Sequence, residues 1–245
     1  MECSCGDRDT EWLDDPEVGD EVRLLAQRDL DRANAWFGGN RAVVRTIGPL
    51  LARWPSDSAT VLDVGTGAGG IARLVRAEGR RRGVAVTTLG LDLRLALARA
   101  ALATGSVAVR GDVLRLPFAD RSADMVVCSQ LLHHFRRLEA LQVLRELTRV
   151  ARARVIVADL RRSRLAATAF GLASRALGFH PVTRHDGVAS VRRGFSPVEL
   201  DSLVWAAVAC APTVRRSLGF RLVASWSPPP PRPDAMWTPQ ERSAA

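Results

Sequence analysis

Residues 61–70 read VLDVGTGAGG, an apolar run with one acid in it that ends in a glycine-rich turn. The run is short and apolar but for Asp63, the signature of a strand buried on both faces, and "GGIARLVRAEGRRRG" (69–83) after the turn has helical spacing up to Gly83. Between a strand and a helix, glycines let the backbone approach a ligand closely and point the helix's first amides at its polar groups. The stretch therefore sets both the fold and a ligand site.

The same rhythm continues downstream. Strands are expected at "VAVTTLGLDL" (84–93), "SVAVRGDV" (106–113), "ADMVVCSQ" (123–130) and "ARVIVADL" (153–160), with helices at "RLALARAALATG" (94–105) and "RRLEALQVLRELTRVAR" (136–152). Apolar strands alternating with helices imply a parallel sheet covered on both faces, a doubly wound α/β fold. "TVRRSLGFRLVASW" (213–226) reads as two further strands joined at Ser217–Gly219, which brings the sheet to seven strands, mostly parallel.

The flanks differ in character. Residues 1–20 are polar and expected to be mobile, and 21–57 form a helical cap broken at Gly38-Gly39. The core, 58–226, carries an insertion at about 161–195 before its last two strands: an apolar helix (165–179), then a polar loop, "HPVTRHDGVASVRRG" (180–194). Ser196, Pro197 and Glu199 open another helix with a capping box. Residues 227–245 are Pro-rich and expected to be disordered.

Bulk properties narrow the class. The chain has 245 residues, 47% hydrophobic and 25% charged, as expected of a globular protein. There is no apolar stretch of membrane-spanning length, and the N-terminus does not resemble a secretion signal, so no stable membrane insertion and a cytoplasmic location are expected. Net charge is +9, yet every one of the 35 basic residues is arginine and they scatter along helices, the pattern of solvated faces rather than of a nucleic-acid footprint. Cys3 and Cys5 lie near the N-terminus, Cys128 in a strand and Cys210 in a late helix. No cysteine pair and no histidine stands at zinc-ligand spacing, so no metal is expected and Cys128 and Cys210 read as buried free thiols.

Gly65, Gly67 and Gly70 spell the dinucleotide fingerprint GxGxxG, but the acids around it favour another ligand. Asp63 would crowd a pyrophosphate and suits an amino group. Asp92 ends the second strand, where a carboxylate can take both hydroxyls of a ribose. Asp112 ends the third, where it can accept from an adenine amino group while Val113 offers its backbone N–H. Together they describe an adenosyl amino acid.

With "VLDVGTGAG", "GLDL", "GDVLRLPF", "DMVVCSQLLHHF" and "LRELTRVARARVIVADL" in this order, residues 58–160 resemble the class I S-adenosylmethionine-dependent methyltransferases, most closely those of quinone biosynthesis and of secondary metabolism. The resemblance implies the Rossmann-like methyltransferase fold and S-adenosyl-L-methionine as cofactor. Asp63, Gly65, Thr66 and Gly67 would then bind the methionine part, Asp92 the ribose with Leu93 beside the adenine, and Asp112 with Val113 the adenine edge. Ser129 would face the transfer site.

A neutral hydroxyl or a carbon acceptor needs a base. With four histidines and no tyrosine, the candidates are His133 and His134 after the fourth strand and His185 in the expected loop, the last imagined facing the acceptor. An apolar lid implies a small lipophilic or aromatic acceptor, O-methylated by preference, and a monomer or homodimer. C-methylation of a quinone or polyketide, a nucleic-acid methyltransferase and a non-catalytic binder are the alternatives. Against nucleic-acid bases stands "SQLL" after the fourth strand, which lacks the proline pair of base-amine methyltransferases. Against a nicotinamide oxidoreductase stands the absence of tyrosine.

Overall fold

The computed structural model describes residues 11–15 and 17–230, so Cys3, Cys5 and most of the Pro-rich tail lie outside the described residues. In chain order the elements are α1 (Asp20–Trp36), α2 (Gly39–Leu51), β1 (Ser58–Val64), α3 (Gly70–Arg81), β2 (Ala85–Asp92), α4 (Leu95–Leu102), β3 (Val107–Arg110), β4 (Ala123–Ser129), α5 (Arg137–Val150) and β5 (Ala151–Leu160). The chain continues through α6 (Arg164–Ala176), α7 (Pro181–Arg193), α8 (Pro197–Val208), β6 (Thr213–Ser217) and β7 (Arg221–Trp226). The seven strands form one sheet in the order β3-β2-β1-β4-β5-β7-β6. β1 to β5 pair in parallel, and β7 runs antiparallel to both β5 and β6. This is the doubly wound, mostly parallel sheet expected from the sequence. Among the described residues, no helix is long and apolar enough to cross a membrane.

Neighbouring residues of a strand face opposite sides of a sheet, and here each side is a core. Leu62, Val64, Val126, Cys128, Val155 and Val157 pack on one side with Leu144 and Leu147 of α5 and Leu200 of α8. Val61, Met125, Val127 and Ile156 pack on the other with Val43, Ile47 and Leu51 of α2 and Val75 of α3. Burial on both faces is why the central strands read as unbroken apolar runs rather than as alternating ones. The strand order reverses between β1 and β4, and the crevice beyond the carboxyl ends of strands at such a point is where open α/β sheets bind ligands.

Four expectations need correction. Residues 180–194 are not a loop: His180 caps α7, its Nδ1 accepting from the Val182 N–H, and Pro181 opens the first turn. Its buried positions are Thr183, Asp186, Gly187, Ala189 and Val191, too polar and small to show an apolar period. The segment before residue 20 is not all mobile. Trp12 to Asp14 form a single 3-10 turn, and the backbone N–H groups of Trp12 and Leu13 donate to the two Asp186 carboxylate oxygens, each at 2.9 Å. The 136–152 helix stops at Val150, because Ala151 already starts β5. Cys210 lies two residues past the end of α8 and is only half-buried, whereas Cys128 is fully buried as expected.

The β6–β7 turn locks onto the α1–α2 corner. Gly219 has φ +72°, and a Cβ there would run into the Phe37 carbonyl. Gly219→Ala should therefore destabilise the protein by about 3 kcal/mol or more in urea unfolding, since neither the turn nor the corner can yield without breaking the other.

Candidate active site

The β1–α3 turn is built for close approach. Gly65 (φ +73°) and Gly67 (φ +52°) hold left-handed conformations, and a Cβ on Gly65 would stand 2.8 Å from Leu131 Cδ2. The Gly65 and Thr66 N–H groups donate to the Leu91 carbonyl, and Gly67 N–H donates to Asp92 Oδ2 at 3.0 Å, so the turn is tied to the end of β2. Asp63, 2% exposed beneath the turn, accepts from Thr66 Oγ1 at 2.8 Å. Burial pushes its carboxyl up to about 6, opposed by the Thr66 hydroxyl, raised further by Asp92 and eased by the Ala72 N–H. Burial likewise raises Asp92, against the N–H groups of Arg94 and Gly67.

The acids stand at successive strand ends, Asp63 on β1, Asp92 on β2 and Asp112 two residues past β3. Asp112 is exposed and accepts from the Leu114 N–H, Val113 is buried, and Leu93 is 56% exposed beside Asp92. Two mutually repelling buried carboxylates, with no cation bonded to either among the described residues, fit a ligand that brings an amine and hydroxyl donors.

A cavity of about 450 Å³ opens from this turn. Gly65, Thr66, Gly67 and Ser129 line its floor, Gln27 and Asp31 of α1 close it from above, and Phe170 of α6 and Gly187 of α7 form part of its far wall. Asp31 is raised by burial, with Gln27 and Arg73 working against the shift.

The chemistry concentrates past β4. His133 and His134 sit in the single turn Leu132–His134, with ring centroids 4.4 Å apart, and both line the cavity. His133 is 3% exposed and its Nδ1 lies 2.6 Å from Oδ1 of Asp159, which is fully buried on β5. Asp159 also accepts from the backbone N–H groups of His133 and Leu160. Burial alone would raise this carboxyl. The charge and hydrogen bond of His133 together with the Leu160 N–H hold it below the usual carboxylate range. When the imidazole is neutral, a carboxylate at Nδ1 makes that nitrogen the donor and leaves Nε2 with its lone pair. His133 Nε2 is buried without a hydrogen-bond partner among the described residues.

Glu11 is the unexpected member of the site. It is 4% exposed, and its Oε1 lies 3.8 Å from His133 Nε2 while Oε2 lies 3.6 Å from His134 Nδ1. The three side chains could share a metal ion, their candidate ligand atoms all lying within 4.8 Å of one another, a cluster that cysteine and histidine spacing gave no hint of. Glu11 is nonetheless already satisfied: Ser190 Oγ donates to Oε1 at 2.6 Å and Arg193 Nη1 stands at 3.2 Å, so its charge needs no metal.

His185, expected to face the acceptor, does not line this cavity. Its ring stacks on Trp12 at 4.1 Å and bonds Asp186, on the outer side of α7. The helical phase of α7 is the reason, because it turns Asp186 and Gly187 inward instead. Asp159, Glu11, Asn34, Gln130 and Arg221 escaped the sequence reading. Only Asp159 carried a local signal, as an acid near a strand end in register with the histidine turn.

Residues 62–159 match the family model described as a methyltransferase domain. No curated protein matches the chain in sequence. Among solved structures, the chain is similar to a SAM-dependent methyltransferase from Aquifex aeolicus (16% identity, 82% of this chain and 96% of that one, TM-score 0.56). It is also similar to magnesium protoporphyrin IX methyltransferase from Synechocystis PCC 6803 with bound SAH (17% identity, 77% and 83%, TM-score 0.51). A third similar structure is a chain in complex with the Haloferax volcanii Trm112 methyltransferase activator (17% identity, 87% and 100%, TM-score 0.58). The glycine turn and the matched residues agree: residues 62–159 form a methyltransferase domain on a sheet of the Rossmann-like methyltransferase fold, and the protein is a methyltransferase whose cofactor is S-adenosylmethionine.

Proposed function

We propose that the protein methylates a hydroxyl oxygen of a small lipophilic or aromatic acceptor, of the kind found in secondary metabolism, with His133 as the general base. The observation that carries this reading is the buried Asp159–His133 pair, in which the imidazole's Nε2 has no hydrogen-bond partner among the described residues and lies on the cavity wall. Asp159 holds the imidazole in one tautomer and stabilises the imidazolium that forms as the hydroxyl proton leaves.

S-adenosylmethionine, when bound, supplies a methyl group already activated for displacement. In this reading Asp63 accepts from its amino group, the Gly65–Gly67 backbone takes the methionine part, and Asp92 takes the ribose hydroxyls. Leu93 covers the adenine, Asp112 and Val113 read its edge, and Ser129 borders the transfer site. α1, α6 and α7 exclude water from the acceptor and hold its hydroxyl against His133, which is the larger part of what a protein contributes to such a transfer. The apolar walls, among them Phe37, Phe170 and Ala169, support a ring-bearing acceptor.

The test is turnover of a panel of phenols, hydroxy acids and aliphatic alcohols with methyl-labelled S-adenosylmethionine, the product read by NMR. The expected product carries a new O–CH3 group and forms together with S-adenosylhomocysteine. A new C–CH3 signal, or turnover confined to acceptors without a hydroxyl, would overturn the O-methylation reading.

A further inference from the structure

Arg221, the first residue of β7, is 7% exposed and lines the cavity beside Phe220 and Phe37. A buried guanidinium ordinarily sits against a carboxylate, because an unpaired charge is costly away from water. Among the described residues, Arg221 has none within salt-bridge distance. Its Nη2 donates to the Asn34 side-chain oxygen at 3.1 Å, and that oxygen also accepts from Gln130 Nε2 at 2.6 Å. Its Nε is buried with no partner among the described residues. Burial lowers its pKa to about 10, partly restored by Asp159, so the group stays charged at neutral pH.

The nearby buried acids are committed elsewhere. Asp159 is held by His133 and by backbone N–H groups, and Glu11 by Ser190 and Arg193. We propose that Arg221 is the anchor for an anionic group of the acceptor, a carboxylate, so that the substrate is an aromatic or lipophilic acid carrying the hydroxyl to be methylated. The inference deepens the reading above and rests on it.

A carboxylate could also come from the methionine part of the cofactor, but position argues against that source. β7 stands three strand positions from β1, whose end carries the glycine turn, and at the usual spacing that is about 14 Å. The aromatic rings of Phe37, Phe170 and Phe220 lie on the Arg221 side of the cavity and suit the body of such an acid, and Asn34 fixes the guanidinium so that its free edge is preorganised.

The experiment measures binding of benzoate, salicylate and uncharged benzamide to the full chain saturated with S-adenosylhomocysteine, alongside Arg221→Met and Arg221→Lys. The wild type should prefer the two carboxylates over benzamide by about tenfold or more, as a charge-assisted bidentate contact requires. Arg221→Met should abolish that preference, Arg221→Lys should restore part of it, and both should keep S-adenosylhomocysteine affinity within about threefold. Because the methionine variant removes a buried charge, it should melt no lower than the wild type. Equal binding of benzoate and benzamide to the wild type would overturn the proposal. So would a loss of S-adenosylhomocysteine affinity in Arg221→Met, which would assign the guanidinium to the cofactor. Failure of the O-methylation reading is separable, since it would appear as absent or misplaced methyl transfer while the carboxylate preference stands.

Discussion

His133→Ala is expected to lower kcat by about 10²- to 10⁴-fold on an aliphatic or weakly acidic phenolic hydroxyl while leaving S-adenosylmethionine affinity within a few-fold of wild type. In the proposed mechanism the imidazole takes the acceptor proton, while the strand-end acids hold the cofactor, so the loss belongs in kcat rather than in cofactor binding. A purely structural role predicts a different pattern, and acceptor acidity separates the two. An acceptor already ionised at the assay pH, such as a nitrophenol, has no proton to give, and the variant should turn it over within about tenfold of wild type. The variant's rate should follow only the ionisation of the acceptor itself. Asp159→Asn keeps the shape but can accept or donate at Nδ1, so it should lose most of the rate without loss of cofactor. A loss that is equal for all acceptors, ionised or not, would show that His133 only supports the turn that carries it.

The parts of this molecule that were legible from its sequence are those whose burial is written in apolar residues. Val61–Leu62 and Val126–Val127 face two cores at once, and such runs can be placed without knowing what covers them. α7 was not legible because Asp186 and Thr183, buried in it, are satisfied by partners far away in the chain: Trp12 and Leu13 for the first, Asp29 for the second. A polar residue buried by a distant partner looks the same in sequence as a solvated one. The same reasoning applies to the two adjacent histidines. Nothing local separates His133 from His134, whereas the fold separates them by giving the first to Asp159, 26 residues on. Glu11 and Arg221 lie at opposite ends of the chain and acquire their meaning only from the cavity that both enter. The glycine turn was legible because its geometric demand is local: positive φ and close approach leave glycine as the residue that fits.

Asp63→Asn should move cofactor affinity and stability in opposite directions. The carboxyl's ordinary value is 3.8, and burial beneath the glycine turn, with Asp92 nearby, pushes it up to about 6. A carboxyl raised on folding favours the folded state fully below its ordinary value, and that contribution is lost as pH rises through about 6. In the cofactor-free protein at pH 8 the ionised Asp63 therefore costs about 3 kcal/mol relative to the protonated form. Asparagine carries no charge, and its side-chain oxygen can still accept from Thr66 Oγ1. The variant should thus be more stable than the wild type at pH 8 by up to about 3 kcal/mol in urea unfolding, and the gap should close toward pH 4. Its affinity for S-adenosylmethionine should fall by about tenfold or more, because a neutral amide replaces the carboxylate that would receive the ligand's amino group. Saturating the wild type with cofactor should remove its pH-dependent loss, since an amine beside Asp63 favours the ionised form. If the variant instead unfolds more readily at every pH and binds cofactor as the wild type does, Asp63 serves the turn alone, through Thr66, and the amine must be held elsewhere. If both expected changes occur, the strained carboxylate is a binding residue held at a cost to the empty protein, the pattern expected where a site is organised for its ligand before the ligand arrives.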